Sequence, residues 1–304
     1  MAPESTTTGF VAIPSGEALA ADALRTVTAR DETTVILLAG PIGCGKTTIL
    51  IALYELFNEG PVGGLLFGGS ATLAGFERIC HPGRVTSGLS APDTVRTSRS
   101  SGAAFLHIRV TDTSGGPPRT SSVLVSDVTG EAFVEARDVS EPTIITRPLW
   151  RRAGLICVVL DGEGMSLTTK RHSVRAGARS LLRSAHESNL IPHNCRLALI
   201  TTKWDLVKPG DAEDFVTETE SLLVKQYASS FESVSCHRIA ARPTSNRVPY
   251  AYGVPRLLTE WVSRDRSKPA IAMPDTVKDS GLNDFARAFW QREQNSLLRV
   301  FDVV

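Results

Sequence analysis

Between Val35 and Thr48 the chain reads Val-Ile-Leu-Leu-Ala-Gly40-Pro41-Ile42-Gly43-Cys44-Gly45-Lys46-Thr47-Thr48. Gly40, Gly43 and Gly45 let the backbone curl tightly, so that successive N–H groups can face inward around an anion. The pattern Gly-x-x-x-x-Gly-Lys-Thr adds a lysine whose ammonium reaches the outer phosphates of a nucleotide and a hydroxyl, on Thr47, suited to Mg²⁺. The apolar run before it has strand character. The run after it, Ile49 to Phe57, has the pattern of a helix, whose positive N-terminal end reinforces the anion nest. Residues Gly40 through Thr48 are therefore the candidate phosphate-binding residues, and the chemistry they offer is capture of a nucleoside di- or triphosphate.

A second candidate is Asp127, which closes an apolar stretch and opens Asp127-Val-Thr-Gly130-Glu131. A carboxylate at the tip of a strand next to a phosphate loop is placed to anchor Mg²⁺, usually through water.

These residues need a scaffold, and the hydrophobic patterning supplies one. Strands are expected over 34–39, 103–111, 120–127, 155–161, 196–201 and 233–240. Helices are expected over 18–29, 46–58, 71–80, 168–188, 211–229 and 254–264. The turn signal Ser114-Gly-Gly-Pro-Pro makes the second and third strands an antiparallel hairpin. The remaining alternation of strands with helices predicts an α/β fold: a mostly parallel sheet with one antiparallel hairpin strand and helices on both faces. Ligands of such folds bind at the carboxyl ends of the strands, where the motif residues converge.

The predicted organisation is a leader and short helix over 1–32, a nucleotide-binding domain over 33–264, and a linker with a C-terminal amphipathic helix over 265–304. Residues 59–102 interrupt the pattern with Gly-rich punctuation and a long polar loop. Long structure-poor segments inside a domain are usually functional.

The balance of 33 basic and 32 acidic residues argues against a broad electrostatic draw to nucleic acid or membrane. The five cysteines (Cys44, Cys80, Cys157, Cys195, Cys236) are scattered and suit reduced thiols. No stretch approaches the roughly 20 apolar residues of a membrane helix, and no signal peptide is evident, so a soluble cytoplasmic protein is the expectation. The arginines and lysine of 168–188 read as a solvated face.

After the strand at 196–201 comes Thr202-Lys203-Trp204-Asp205. With the phosphate loop and Asp127-x-x-Gly130 in order, the chain resembles a P-loop GTPase of the translation-factor-related, Ras-like class, where this segment reads Asn-Lys-x-Asp. More narrowly, Thr72-Leu-Ala-Gly-Phe-Glu and Pro92-Asp-Thr-Val-Arg-Thr97 make it similar to the bacterial double-GTPase group. The resemblance implies that Asp205 accepts from guanine N1–H and N2–H₂, that the Lys203 stem lies over the ring, and that Ala240 or Ala241 offers an N–H to O6. An adenine ring lacks that donor pair and would leave the carboxylate unpaired.

By the same resemblance, Thr94 or Thr97 is the threonine of an enlarged first switch, and Asp127 and Gly130 belong to the second. Glu131 stands where related enzymes carry a water-orienting Gln. Thr202 in place of Asn removes one amide that ties the base loop to the phosphate loop; a threonine hydroxyl can make part of that bond, so the change bears on affinity more than on base identity. The implied protein is a Mg²⁺-dependent GTP-binding switch with slow hydrolysis, acting on a protein effector or through a GTPase-activating partner, without nucleic acid or membrane, in a bacterial regulatory or conflict-type system. A nucleotide-locked, non-hydrolysing interaction module and a P-loop ATPase are the alternatives.

Overall fold

The computed structural model describes residues 15–20, 23–29, 31–83, 104–114, 117–127 and 147–263. Its strands are β1 (Leu19–Ala20), β2 (Glu32–Ala39), β3 (Leu65–Gly69), β4 (Ala104–Asp112), β5 (Arg119–Asp127), β6 (Leu155–Asp161), β7 (Arg196–Thr202) and β8 (Val234–Arg238). They form one sheet in the order β1-β4-β5-β2-β6-β7-β8, with β3 also paired to β4. From β5 through β2, β6 and β7 to β8 every pairing is parallel. The β4–β5 hairpin is antiparallel, as are β1 and β3 on β4. The uninterrupted apolar runs of β2 and β6 occupy the middle, where both faces of a strand are covered.

The helices are α1 (Leu24–Thr28), α2 (Lys46–Glu59), α3 (Leu73–Cys80), α4 (Arg147–Arg152), α5 (Gly162–Ser166), α6 (Arg171–Glu187), α7 (Asp211–Tyr227) and α8 (Val254–Val262). Alternate residues of each central strand face opposite ways and meet different helices. Ile36, Leu38 and Cys157 pack with Ile49, Leu53, Phe76 and Trp261 of α2, α3 and α8. Leu37, Ile156 and Val158 pack with Leu24, Trp150, Leu182 and Val216 of α1, α4, α6 and α7. Helices thus cover both faces, as the alternation of elements requires.

Two short helices, α4 and α5, were not expected from the sequence, and the departures among the strands sit at one edge. Of the helix expected over 18–29, Leu24–Thr28 is α-helical, while Leu19 and Ala20 instead pair with Phe105 and Ala104 of β4. An open strand edge offered a ladder, and tertiary pairing overrode a short helical periodicity. β3 was hidden by its punctuation: Gly63 and Gly64 adopt positive φ in a turn closed by two backbone bonds between Val62 and Leu65. Between β1 and β3 the outer edge of β4 is met by side chains. The His107 N–H donates to Thr72 Oγ1 at 2.9 Å, and Ser70 Oγ donates to the His107 carbonyl at 2.6 Å.

At the far side of the sheet, α6 does not simply present its basic residues to solvent. Arg171 and Arg175 ion-pair with Asp211 and Glu218 of α7 and stand over the Phe215 ring. Gly210 holds the cap position of α7, and Asp211 is its first residue.

Candidate functional site

β2 ends at Ala39 and releases the loop that becomes α2 at Lys46. The glycines act in two ways. Gly43 and Gly45 have φ of 74° and 94°, a region that L side chains avoid. Gly40 is needed for space: a Cβ there would stand 2.9 Å from both the Val159 carbonyl and the Cys44 sulfur. The first helical bond runs from the Ile49 N–H to the Gly45 carbonyl at 3.1 Å. The amides of Lys46, Thr47 and Thr48 precede it, and no side chain caps the helix. An uncapped helix start on a curled glycine loop suits a phosphate.

The Lys46 ammonium is folded over this loop, donating to the carbonyls of Gly40 at 2.8 Å and Pro41 at 2.9 Å. Cys44 is buried beneath it, and burial pushes its thiol pKa up, leaving a neutral packing group. Ile42 is exposed at the tip of the loop.

Two oxygen ligands for Mg²⁺ were expected, Thr47 and Asp127. Thr47 lies half-buried in the first turn of α2. Asp127 is the last residue of β5, the strand parallel to β2, and the Leu38 N–H beside it donates to Ser126 Oγ at 3.1 Å. A hydroxyl and a carboxylate next to phosphates are hard oxygen donors of the type Mg²⁺ prefers, so the residues fit the ion. The Asp127 side chain, Thr94, Thr97, Gly130 and Glu131 lie outside the described residues, as does the C-terminal helix expected within 265–304.

The base side is assembled from three chain segments. Thr202, the last residue of β7, is 3% exposed and donates its hydroxyl to the Cys44 carbonyl at 2.7 Å, with the Leu160 carbonyl at 3.1 Å. The tie between base loop and phosphate loop that an Asn amide would make is therefore made by a hydroxyl. Lys203 follows with φ 51°, a left-handed conformation uncommon outside glycine and costing about 1–2 kcal/mol. Strain of this kind collects at functional positions. Its ammonium lies 2.7 Å from Glu163 and 3.1 Å from Asp161. Burial works against the charge on Lys203, but the two carboxylates outweigh it and its pKa is raised. The hydrogen bond from Lys203 holds Glu163 below the usual carboxylate range.

Asp205 is 5% exposed in the short 3₁₀ turn Trp204–Leu206. Its Oδ2 accepts the Thr244 N–H at 2.8 Å and the Thr244 hydroxyl at 3.2 Å, which fixes the plane of the carboxylate. The Trp204 N–H donates to the Ile239 carbonyl at 3.0 Å, bringing the turn after β8 alongside. In that turn the Ala240 N–H is taken by the Tyr252 carbonyl at 3.1 Å. Of the two alanines considered for guanine O6, Ala241 is the one whose amide is not so committed among the described residues.

Asp161, Glu163 and Thr244 did not emerge from the sequence as site residues. Asp161 left a signal, since it ends a buried strand next to β7. Glu163 and Thr244 left none, because only the folded chain brings them to Lys203 and Asp205.

A family model described as Double-GTPase 2 matches residues 34–262. No curated protein matches the sequence. Among solved structures, the signal recognition particle receptor SRb-GTP/SRX complex of Chaetomium thermophilum is 14% identical with a TM-score of 0.40, over 75% of this chain and 97% of that one. Translation elongation factor SelB of Methanococcus maripaludis, with the GTP analogue GppNHp, is 13% identical with a TM-score of 0.36, over 70% and 30%. The S. cerevisiae Ski7 GTPase-like domain, bound to GDP and inorganic phosphate, is 14% identical with a TM-score of 0.40, over 79% and 52%. The chain thus spans 30% of the SelB chain and 52% of the Ski7 chain. Among the described residues no helix is long and apolar enough to cross a membrane.

Proposed function

The chain belongs to the Double-GTPase 2 family, and we propose that it is a Mg²⁺-dependent guanine-nucleotide switch that hydrolyses GTP slowly and regulates a partner protein. The observation that carries the guanine reading is the buried carboxylate of Asp205, held in one plane by Thr244 and brought to the phosphate loop through Thr202. A desolvated carboxylate needs donors, and guanine presents two on adjacent nitrogens. Adenine presents an acceptor in that place and would be rejected.

In this reading the amides of Lys46, Thr47 and Thr48 and the Lys46 ammonium hold the phosphates. Thr47 and Asp127 hold Mg²⁺, which neutralises phosphate charge when bound. Glu163 and Asp161 hold the Lys203 ammonium, so that its apolar stem can cover the base. The Ala241 N–H meets O6. Thr94 or Thr97, with Gly130 and Glu131, form the switch segments that would sense the terminal phosphate and present a surface to a protein effector or activating partner. A carboxylate at Glu131 faces repulsion from a γ-phosphate, which supports slow intrinsic turnover.

The test is calorimetric binding of GDP and ADP, each with Mg²⁺, to the wild type and to Asp205→Asn. The expected result is binding of GDP but not ADP by the wild type. Asp205→Asn should lose GDP and gain xanthosine diphosphate, because its amide now donates where the carboxylate accepted. Equal binding of ADP and GDP, unchanged by the substitution, would overturn the guanine reading. Single-turnover phosphate release then separates a slow GTPase from a nucleotide-locked module.

A further inference from the structure

Glu55 stands on α2, the helix launched by the phosphate loop, yet its contacts are with the base side. Arg242, next to Ala241, reaches across with Nη2 3.1 Å from Glu55 Oε1 and 3.5 Å from Oε2. Tyr250 donates its hydroxyl to Glu55 Oε2 in a short hydrogen bond. Arg242 and Tyr250 belong to two short segments that are themselves bonded together. The Ala240 N–H donates to the Tyr252 carbonyl at 3.1 Å, and the Ala251 N–H donates to the Ala241 carbonyl at 3.2 Å. Glu55 therefore takes one residue from each segment, the only side chain of α2 among the described residues seen to bond both.

We propose that Glu55, Arg242 and Tyr250 form a clamp that sets how long a guanine nucleotide stays bound, by fixing the base-recognition turn to the phosphate-binding helix. None of the three need touch the nucleotide; they are positioning residues. With the clamp closed, the amide of Ala241 is held at a constant distance from the start of α2, so base and phosphate contacts form and break together. With it open, the base turn can move away while the phosphates are still held, and the nucleotide leaves in two easy steps in place of one hard step.

The chemistry suits a latch that holds without being permanent. The ion pair is charge-assisted, and the side chains of Arg242 and Glu55 remain 25% and 23% exposed, so water and a competing partner can reach them. Burial, and then the neighbouring Glu55, push the Tyr250 hydroxyl well above its ordinary pKa, so it stays a donor throughout the physiological range. An exchange factor that offered Glu55 a cation of its own, or Arg242 a carboxylate, would open the clamp without entering the nucleotide site.

The inference rests on the guanine-nucleotide reading, and one experiment separates the two. Release of a fluorescent GDP is followed by stopped flow for the wild type, Glu55→Gln, Tyr250→Phe, and Glu55→Gln with Arg242→Gln. Pyrophosphate affinity and the nucleotide-free melting midpoint are measured on the same proteins. Glu55→Gln is expected to speed GDP release about three- to tenfold and Tyr250→Phe by less, with pyrophosphate affinity unchanged. The double variant should release GDP no faster than Glu55→Gln alone, since the ion pair is already gone in that variant. A wild type that holds GDP with variants that hold it equally long would overturn the clamp. Parallel losses of GDP affinity, pyrophosphate affinity and melting midpoint would overturn it too, reducing the contact to ordinary stability. A wild type that fails to hold GDP at all would instead mark the failure of the guanine reading.

Discussion

The phosphate side and the base side of the site lie side by side on one sheet but are built by opposite means. In the proposed reading the phosphate side is one continuous stretch, Gly40 to Thr48, which would recognise phosphates through backbone amides and the conformational freedom of glycine. The base side is side-chain chemistry gathered from 161–163, 202–205 and 239–252 by contacts that span the chain. A backbone nest accepts any nucleotide with phosphates. A carboxylate locked by a threonine accepts few bases. On that reading the general affinity is local in sequence, and the selectivity is distributed.

The contrast is sharpest in two glycines. A Cβ on Gly162 would stand 2.2 Å from the Thr202 carbonyl, a backbone atom that cannot retreat without moving the base loop. Gly162→Ala should therefore cost about 3 kcal/mol or more in urea unfolding, and abolish GDP binding even where the protein remains folded. Gly43 has nothing within 4 Å of its Cβ position, and only its φ of 74° resists a side chain. Gly43→Ala should cost about 1–2 kcal/mol. Equal losses would mean that the Thr202 carbonyl gives way to a Cβ at Gly162.

Removing a ligand-facing charge should separate the sides by substrate. Lys46→Ala is expected to weaken GDP and pyrophosphate alike, roughly ten- to a hundredfold in calorimetry. Thr202→Val acts on the join between the sides: it strips the donor from the buried Cys44 and Leu160 carbonyls and should cost about 1–3 kcal/mol of stability. A neutral Thr202→Val would show that the hydroxyl does not stand in for the missing amide. Thr244→Val keeps the backbone N–H on Asp205 and loses only the hydroxyl, so GDP affinity should fall by about 0.5–1.5 kcal/mol with pyrophosphate untouched.

This division also explains what could be read from the sequence. The central strands were legible because their apolar runs are long and unbroken, and α2 because a loop motif announces its start. Lys46, Thr47, Lys203 and Asp205 stood out as candidates because each belongs to a short motif whose spacing carries its own chemistry. Leu65–Gly69 was not, since its strand character depends on an open edge of β4 that no local pattern reveals. Glu163, Thr244 and Glu55 were not for the same reason at the level of side chains: each matters through a partner about 40 or more residues away. That the Thr202 hydroxyl could make part of the missing Asn bond was legible, but not that it meets the Cys44 carbonyl at 2.7 Å, because sequence does not show how near that carbonyl approaches.

The smallest expected effect concerns protons and falls on the base side alone. Lys203 is raised and Glu163 lowered by the bond between them. A carboxyl whose folded pKa is depressed stabilises the fold fully above its unfolded value, near 4.3, and loses that contribution as pH falls through the folded value. Both residues are partly exposed, with Glu163 at 53%, so solvent weakens the pair and the change should be slight. Stability in urea unfolding, followed from neutral pH downward, should hold until the acid side of about pH 4.3 and then decline slightly, while Glu163→Gln should begin slightly less stable and show less of that decline. If the wild type and Glu163→Gln decline in parallel, Glu163 does not steady Lys203, and Asp161 alone holds the lysine at the base.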